Sequence, residues 1–241
     1  MENKYCVVFD CDGTLTTKES RALMFCVDRD ALSVAANEES QKLRARYLPA
    51  ALAGKLTRRQ EIAWLRDTLR IYVKDGLTLN RVRPVIDKIP MRAGTVECLR
   101  LLRDADIPVA VISYGVGDFI ELFLKRHGVR DCVDRIYSAV MDVDPDSGLF
   151  VDFCEGTFVL PSNKGAWSRF FAERHRVPTG NILAVGDSLG DRRLGKRKSL
   201  RLGLARDEAE AKIFAQHMGH VVVTDDFHPV TAWLKKHLNL T

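Results

Sequence analysis

Short apolar runs alternate with longer amphipathic stretches along most of this chain. Tyr5-Cys6-Val7-Val8-Phe9, Val109-Ala110-Val111-Ile112, Ile182-Leu183-Ala184-Val185 and His220-Val221-Val222-Val223 are continuous and rich in β-branched residues. Runs of that length and composition predict buried strands. A further short strand is expected over Arg201-Leu202-Gly203-Leu204. Arg135 to Val143 and Leu149 to Val159 flank the turn signal Pro145-Asp146-Ser147-Gly148 and together predict a β-hairpin. Helical spacing is expected over Thr95 to Asp104, with Thr95 as an early cap, and over Phe119 to His127, with Gly128 as its stop. Two more helices are expected, from Lys164 to His175 and from His228 to Leu238.

The segment 17–88 breaks this alternation. Leu23, Leu32, Leu43, Tyr47, Leu48, Leu52, Ile62, Leu65, Leu69, Val82 and Ile86 recur at helical spacing among charged residues, and no strand pattern intervenes. The stretch is too long for an ordinary connection, so it predicts a small inserted helical cap domain. The break Pro90-Met91-Arg92-Ala93-Gly94 follows it. Elsewhere strands and helices alternate. The expected fold is therefore α/β: a Rossmann-like parallel sheet formed by 1–16 and 89–241, with 17–88 as the helical cap and one β-hairpin.

Composition narrows the setting. Of 241 residues, 46% are hydrophobic, enough for a globular core, and 29% are charged, ordinary for a soluble protein. No run approaches the ~18 apolar residues that a membrane helix needs. The amino terminus enters the first strand directly, so no secretory signal is expected. Cys6, Cys11, Cys26, Cys98, Cys132 and Cys154 are scattered without ligand-like spacing, which suits reduced thiols in a cytoplasmic protein. A net charge of +5 fits a phosphorylated substrate but does not argue for nucleic acid. The six histidines show no metal-ligand spacing, His217 and His220 included.

The candidate chemistry sits at strand ends. Asp10 and Asp12 follow the first strand in Asp10-Cys11-Asp12-Gly13-Thr14, and in an extended chain residues two apart point the same way. Two converging carboxylates repel unless a cation or shared proton intervenes, so the pair suggests a hard metal ion, an acid/base couple, or both. Three other segments would face the same crevice at the carboxyl ends of the strands. They are Ser113-Tyr114-Gly115-Val116-Gly117-Asp118, Lys164 after Ser162-Asn163, and Gly186-Asp187-Ser188-Leu189-Gly190-Asp191. One carboxylate could attack phosphorus while a second moves the proton of the leaving group and of water. A third could complete oxygen ligation of Mg²⁺, and a hydroxyl, backbone N–H groups and a lysine could neutralise phosphoryl oxygens. The glycines at 13, 115, 117 and 186 would let the backbone approach an anion.

The order DxDGT, S-x-G, Lys and GDSxGD resembles the haloacid dehalogenase superfamily of phosphatases along essentially the whole chain. The resemblance implies that Asp10 is the nucleophile that becomes an aspartyl-phosphate and that Asp12 is the general acid/base. It implies a phosphate-binding group of Ser113, Lys164 and the segment of Tyr114 and Gly115. It implies Mg²⁺ on the Asp10 carboxylate, the Asp12 carbonyl and Asp187, with Asp191 as an outer ligand or a support for Lys164. The core motifs, together with Met141-Asp142-Val143-Asp144, are similar to the pyrimidine 5′-nucleotidase branch, which implies a nucleoside 5′-monophosphate as substrate. Tyr114 stands where a small residue is usual in that branch. A basic segment, Arg192 to Lys198, replaces its apolar-acidic one.

Plainer readings stand beside these. Asp10 and Asp12 could belong to a polar loop, Ser113 could cap a helix, Lys164 could be solvated, and Asp191 could pair with Arg192. Arg192 to Lys198 is expected to be a solvated loop. Trp64, Tyr47 and Tyr72 could stack on a base, but helical spacing favours the core of the cap. Glu61, one turn before Trp64, could hold a base amino group or simply face solvent. Other small phosphorylated metabolites remain as substrates: phosphoserine, a sugar phosphate or a methionine-salvage intermediate. An alcohol in place of water would give phosphotransfer. A non-catalytic phospho-ligand or protein-binding module is the alternative of another class, and the complete set of carboxylates argues against it.

Overall fold

A computed structural model of the chain describes residues 4–17 and 22–240. Seven strands form one sheet in the order β4-β3-β2-β1-β5-β6-β7. They are β1 (Cys6–Phe9), β2 (Val109–Val116), β3 (Arg135–Val143), β4 (Phe150–Cys154), β5 (Ile182–Gly186), β6 (Arg201–Ala205) and β7 (His220–Val223). All neighbours are parallel except β3 and β4, the expected hairpin. β1 is central, with β2 on one side and β5 on the other, so the chain reverses its direction of travel across the sheet at β1. An open parallel sheet forms its ligand crevice at such a switch point, beyond the carboxyl ends of the strands.

The period-two rule accounts for the layering. Val7 and Phe9 of β1, Val109 and Val111 of β2, and Leu183 and Val185 of β5 face one apolar layer. Cys6 and Val8, Ala110 and Ile112, and Ile182 and Ala184 face the other. The second layer is closed by Phe171 and Ala172 of α7 (Lys164–Arg174). The first is closed by α5 (Thr95–Asp104), α6 (Gly117–Arg126) and α9 (His228–Leu238).

Between β1 and β2 lie α1 (Leu23–Ala31), α2 (Val34–Leu52), α3 (Arg58–Lys74) and α4 (Leu79–Ile86). Thr57 opens α3 with a reciprocal capping box to Gln60. Leu23, Val27, Leu65, Leu69, Tyr72 and Val82 from these helices are continuous with the first apolar layer, alongside Phe119 and Phe150. The helical block thus seats on the sheet's flank through a shared core. The block is expected from residue 17; residues 18–21 lie outside the described residues, and its first helix begins at Leu23.

Three boundaries and one further helix differ from expectation. β2 continues through Ser113 to Val116, so Ser113 and Tyr114 belong to a strand. Its register with β3 slips between Ile112 and Val116, which lets the strand extend past the place where apolar residues give way to polar ones. α6 starts at Gly117, two residues early. β4 ends at Cys154, where a 3₁₀ turn over Glu155–Thr157 replaces the rest of the expected strand. α8 (Glu208–Phe214) has no counterpart in the hydrophobic pattern, because it buries only Phe214 and so carries no apolar stripe. All six cysteines are free. Among the described residues no helix is long and apolar enough to cross a membrane.

Candidate active site

The turn after β1 builds the floor of the site. Asp10 N–H still donates to Val185 O of β5, at 3.0 Å, so Asp10 leaves the sheet in strand register. The chain then coils: the N–H groups of Thr14, Leu15 and Thr16 all donate to Cys11 O at 3.2, 2.8 and 3.2 Å. Gly13 takes φ +76° there, and a Cβ at this position would lie 2.0 Å from Asp187 Oδ2. Glycine is therefore required both by conformation and by the close approach of Asp187. Thr14 Oγ1 donates to Asp187 Oδ1 at 3.0 Å and fixes that carboxylate against the turn.

Lys164, the first residue of α7, is almost fully buried. Its Nζ lies 2.9 Å from Asp10 Oδ1 and 2.6 Å from Asp191 Oδ1. The other oxygen of Asp191 accepts Ser188 N–H at 3.0 Å and Ser188 Oγ at 2.6 Å. Both oxygens of Asp191 are thereby engaged in holding Lys164 and the turn after β5. Carboxylate oxygens of Asp10, Asp187 and Asp191 lie within 4.8 Å of one another.

Electrostatics follow from this crowding. Burial, reinforced by the charge of Asp191, raises the Asp10 pKa against the opposing pull of Lys164. Burial also pushes Asp12 up to about 7, with the N–H of Leu23 opposing and the charge of Asp10 adding. Asp187 is raised well above the usual carboxylate range by burial and then by Asp10 and Asp191. For Lys164, burial works against the charge, but Asp10 and Asp191 outweigh it and its pKa is raised. Among the described residues Lys164 is the cation in contact with Asp10 and Asp191, and the carboxylates outnumber it. A hard, oxygen-seeking cation suits that donor set, with Asp10 and Asp187 offering oxygens and Asp191 already committed to Lys164.

Ser113 supplies the opposite demand. Its Oγ is buried and makes no hydrogen bond among the described residues. Gly115 lies beside it: a Cβ there would meet Ser113 Oγ at 3.3 Å and Asp12 Oδ2 at 3.6 Å. A lone buried hydroxyl that lines the same cavity as Lys164 can donate to an anionic oxygen. Asp10, Asp12, Ser113, Lys164 and Asp187 line one cavity of about 980 Å³, whose far wall comes from the helical block and includes Met24, Phe25, Arg44 and Trp64.

Thus Asp10, Asp12, Ser113, Gly115, Lys164, Asp187 and Asp191 are brought together. Tyr114 is not part of that cluster. Its side chain turns the other way along β2, donates to Glu61 O at 2.7 Å and lies 5.9 Å from the Trp64 ring. Strand alternation separates its side chain from that of Ser113, and its hydroxyl ties the sheet to α3, while Tyr114 still lines the same cavity. Glu61 is buried rather than solvated, and its carboxylate accepts the hydroxyl and N–H of Ser162. Trp64 lines the cavity and stacks on Tyr47 at 5.9 Å and 21°. Tyr72 is core: it is fully buried and donates to Asp28 Oδ1 at 2.7 Å. The basic segment divides, with Arg192 and Arg193 lining the cavity and Arg197 packing over Gly180.

One important residue carried no sequence signal. Arg92 is buried and donates from Nε to Thr14 O at 3.1 Å, from Nη1 to Thr224 O at 2.9 Å and from Nη2 to Gly13 O. It clamps the turn that carries Asp12. In the sequence it is a single arginine in a polar break, and only the return of the chain at Thr16 and Met91 brings it there.

The chain is 22% identical over 220 residues to a phosphoserine phosphatase of Archaeoglobus fulgidus, covering 89% of this chain and 58% of that protein. It is 26% identical to a 2-hydroxy-3-keto-5-methylthiopentenyl-1-phosphate phosphatase of Microcystis aeruginosa, covering 95% and 97%. It is 23% identical to 7-methylguanosine phosphate-specific 5′-nucleotidase A of Xenopus laevis, covering 93% and 84%. In fold it is similar to cytosolic 5′-nucleotidase IIIB bound to cytidine, with a TM-score of 0.80, 20% identity, and coverage of 99% and 87%. The sequence profile of haloacid dehalogenase-like hydrolases matches residues 6–197, and the chain belongs to that family.

Proposed function

We propose that this hydrolase is a Mg²⁺-dependent phosphomonoesterase that works through an aspartyl-phosphate at Asp10, with a nucleoside 5′-monophosphate as its substrate. The observation that carries the reading is the convergence of Asp10, Lys164 and the unpartnered hydroxyl of Ser113. An attacking carboxylate there has a cation and a hydroxyl donor beside it for the phosphoryl oxygens. Asp10 attacks phosphorus, and Asp12 gives its proton to the departing oxygen. Asp12 then takes a proton from the water that hydrolyses the aspartyl-phosphate. Its raised pKa suits both tasks near neutrality. Lys164 and Ser113 hold the non-bridging oxygens, and Asp191 keeps Lys164 aimed. Mg²⁺ would be held by Asp10, Asp187 and the Asp12 carbonyl, and would supply charge neutralisation that Lys164 alone does not.

Residues 17–88 act as the cap that excludes water and meets the leaving group. The core is 1–16 and 89–241. Trp64 and Phe25 line the cap side of the cavity and can stack on a base. The nucleotide reading draws support from the 5′-nucleotidases among the relatives. A smaller phosphorylated metabolite is the second reading, supported by the phosphoserine and methylthiopentenyl phosphatases. The free cysteines support a cytoplasmic setting. The test is phosphate release from nucleotides, phosphoamino acids and sugar phosphates, with Mg²⁺ and with chelator. Turnover unaffected by chelator would overturn the metal dependence, and rates indifferent to the base would overturn the nucleotide reading.

A further inference from the structure

Three guanidinium groups at the cavity wall are not used by the mechanism above. Arg58 comes from the first turn of α3, and Arg192 and Arg193 follow β5; all three line the same cavity as Asp10. Arg192 Nη1 donates to Leu189 O at 2.9 Å, and Arg193 Nη1 to Ser162 O at 2.9 Å. These bonds to carbonyls fix one edge of each fork and leave its charge uncompensated. Among the described residues none of the three forms an ion pair.

The acids of the cavity are, by contrast, engaged. Asp28 pairs with Arg44 at 2.9 Å, Glu210 pairs with Arg206 at 2.5 Å, and Glu61 holds Ser162. Asp207 caps α8. Asp191 holds Lys164. Asp10, Asp12 and Asp187 belong to the reaction centre.

Arg192 also stands at the seam between core and helical block. Its Nη1 is 3.1 Å from the point a Cβ on Gly54 would occupy, and Gly54 sits at φ +63° in the turn between α2 and α3. A glycine there clears room for the guanidinium. A phosphomonoester with a neutral leaving group would place its only charge at Ser113 and Lys164 and leave these forks unneutralised. Guanidinium forks match phosphate oxygens two at a time.

We propose that the cavity selects substrates whose leaving group carries a second phosphate, received by Arg58 and Arg192 with Arg193 beside them. The proposal rests on the phosphatase reading but not on the nucleotide. It would make the second phosphate a bridge between α3 and the turn after β5, so that the substrate itself holds the cap against the core.

The test compares kcat/KM within pairs that differ only by a second phosphate, on two scaffolds: a nucleoside 5′-phosphate against its 3′,5′-bisphosphate, and ribose 5-phosphate against ribose 1,5-bisphosphate. The full chain with Mg²⁺ should prefer the bisphosphate by about tenfold or more. Arg58→Gln, Arg192→Gln and the double variant should bring that ratio toward one. Arg58 is exposed, so its variant keeps the test readable if Arg192→Gln folds poorly. Where a scaffold is not turned over, calorimetric affinities of the Asp10→Asn protein for the same pair give the ratio. A ratio near one in the unaltered protein, a ratio that survives substitution, or both partners falling in step would overturn the proposal. The last outcome would mean general attraction of anions. A response to the base without a response to the second phosphate would leave the nucleotide reading standing and this one refuted.

Discussion

Asp12 Oδ1 accepts the backbone N–H of Leu23, the first residue of α1, at 2.9 Å. The carboxylate proposed for proton transfer is thereby bonded to the start of the helical block proposed as the cap. Burial nevertheless dominates its titration and lifts it from 3.8 to about 7. A raised folded pKa means that above 3.8 the unfolded chain has released a proton that the folded protein still holds. The contribution of Asp12 to stability is thus complete below 3.8 and lost as pH rises through about 7. Asp12→Asn removes that loss. In metal-free protein its Tm should gain on the unaltered chain by several degrees between pH 4.5 and pH 8, on the order of 5 °C for a shift of this kind. Its kcat should fall by about 10²–10⁴-fold. Thermal melts across pH check the first result and steady-state kinetics the second. Parallel melting curves for the two proteins would contradict the assignment.

Lys164 compensates two carboxylates at 2.9 and 2.6 Å. Lys164→Met keeps the length and removes the charge, so Asp10 and Asp191 are left buried and uncompensated. Metal-free protein should lose about 3–5 kcal/mol, the usual result of breaking a buried ion pair from one side. Added Mg²⁺ should recover more Tm in this variant than in the unaltered chain, because the ion faces a larger excess of negative charge. Thermal melts with and without Mg²⁺ decide it. Equal metal responses would remove Lys164 from the site's charge balance.

Gly13 is fixed by contact as well as by φ. Gly13→Ala would drive its Cβ into Asp187 Oδ2, 2.0 Å away in the present geometry, in a conformation that L residues rarely adopt. Asp187 must move, and with it the oxygen offered to the cation. The Tm rise on adding Mg²⁺ should shrink or vanish, and activity should fall by at least about 10²-fold. A normal Mg²⁺ response in a folded Gly13→Ala protein would show that Asp187 is not a ligand.

Most of the sheet and the reaction centre were legible because both rest on local signals. Continuous apolar runs marked the strands, and each polar cluster lay where a run ended. Tyr114 shows the limit. Its neighbour Ser113 lines the cavity with Asp10, but the extension of β2 past the apolar run sends successive side chains to opposite faces. Arg92 shows another. Its role comes from three carbonyl contacts made across chain separations of 78, 79 and 132 residues, which no local pattern encodes. α8 buries a single residue and left no periodic trace.

The hydroxyl of Tyr114 offers a test of the joint between sheet and cap. Tyr114→Phe removes the bond to Glu61 O while keeping the contact with Trp64. The loss should be about 1 kcal/mol in stability. If the joint positions the cap, KM should rise for a substrate with a large leaving group and stay constant for one with a small one. A change in kcat with both KM values constant would place Tyr114 in the chemistry instead.

Turnover through Asp10 requires that its carboxylate become covalently phosphorylated. Rapid acid quench during turnover, reduction of the trapped acyl phosphate with borohydride, and peptide mass analysis would locate the nucleophile. Homoserine should replace aspartate at position 10, dependent on substrate and absent in Asp10→Asn. Reduction at another carboxylate, or none at position 10 in protein quenched during steady turnover, would contradict it.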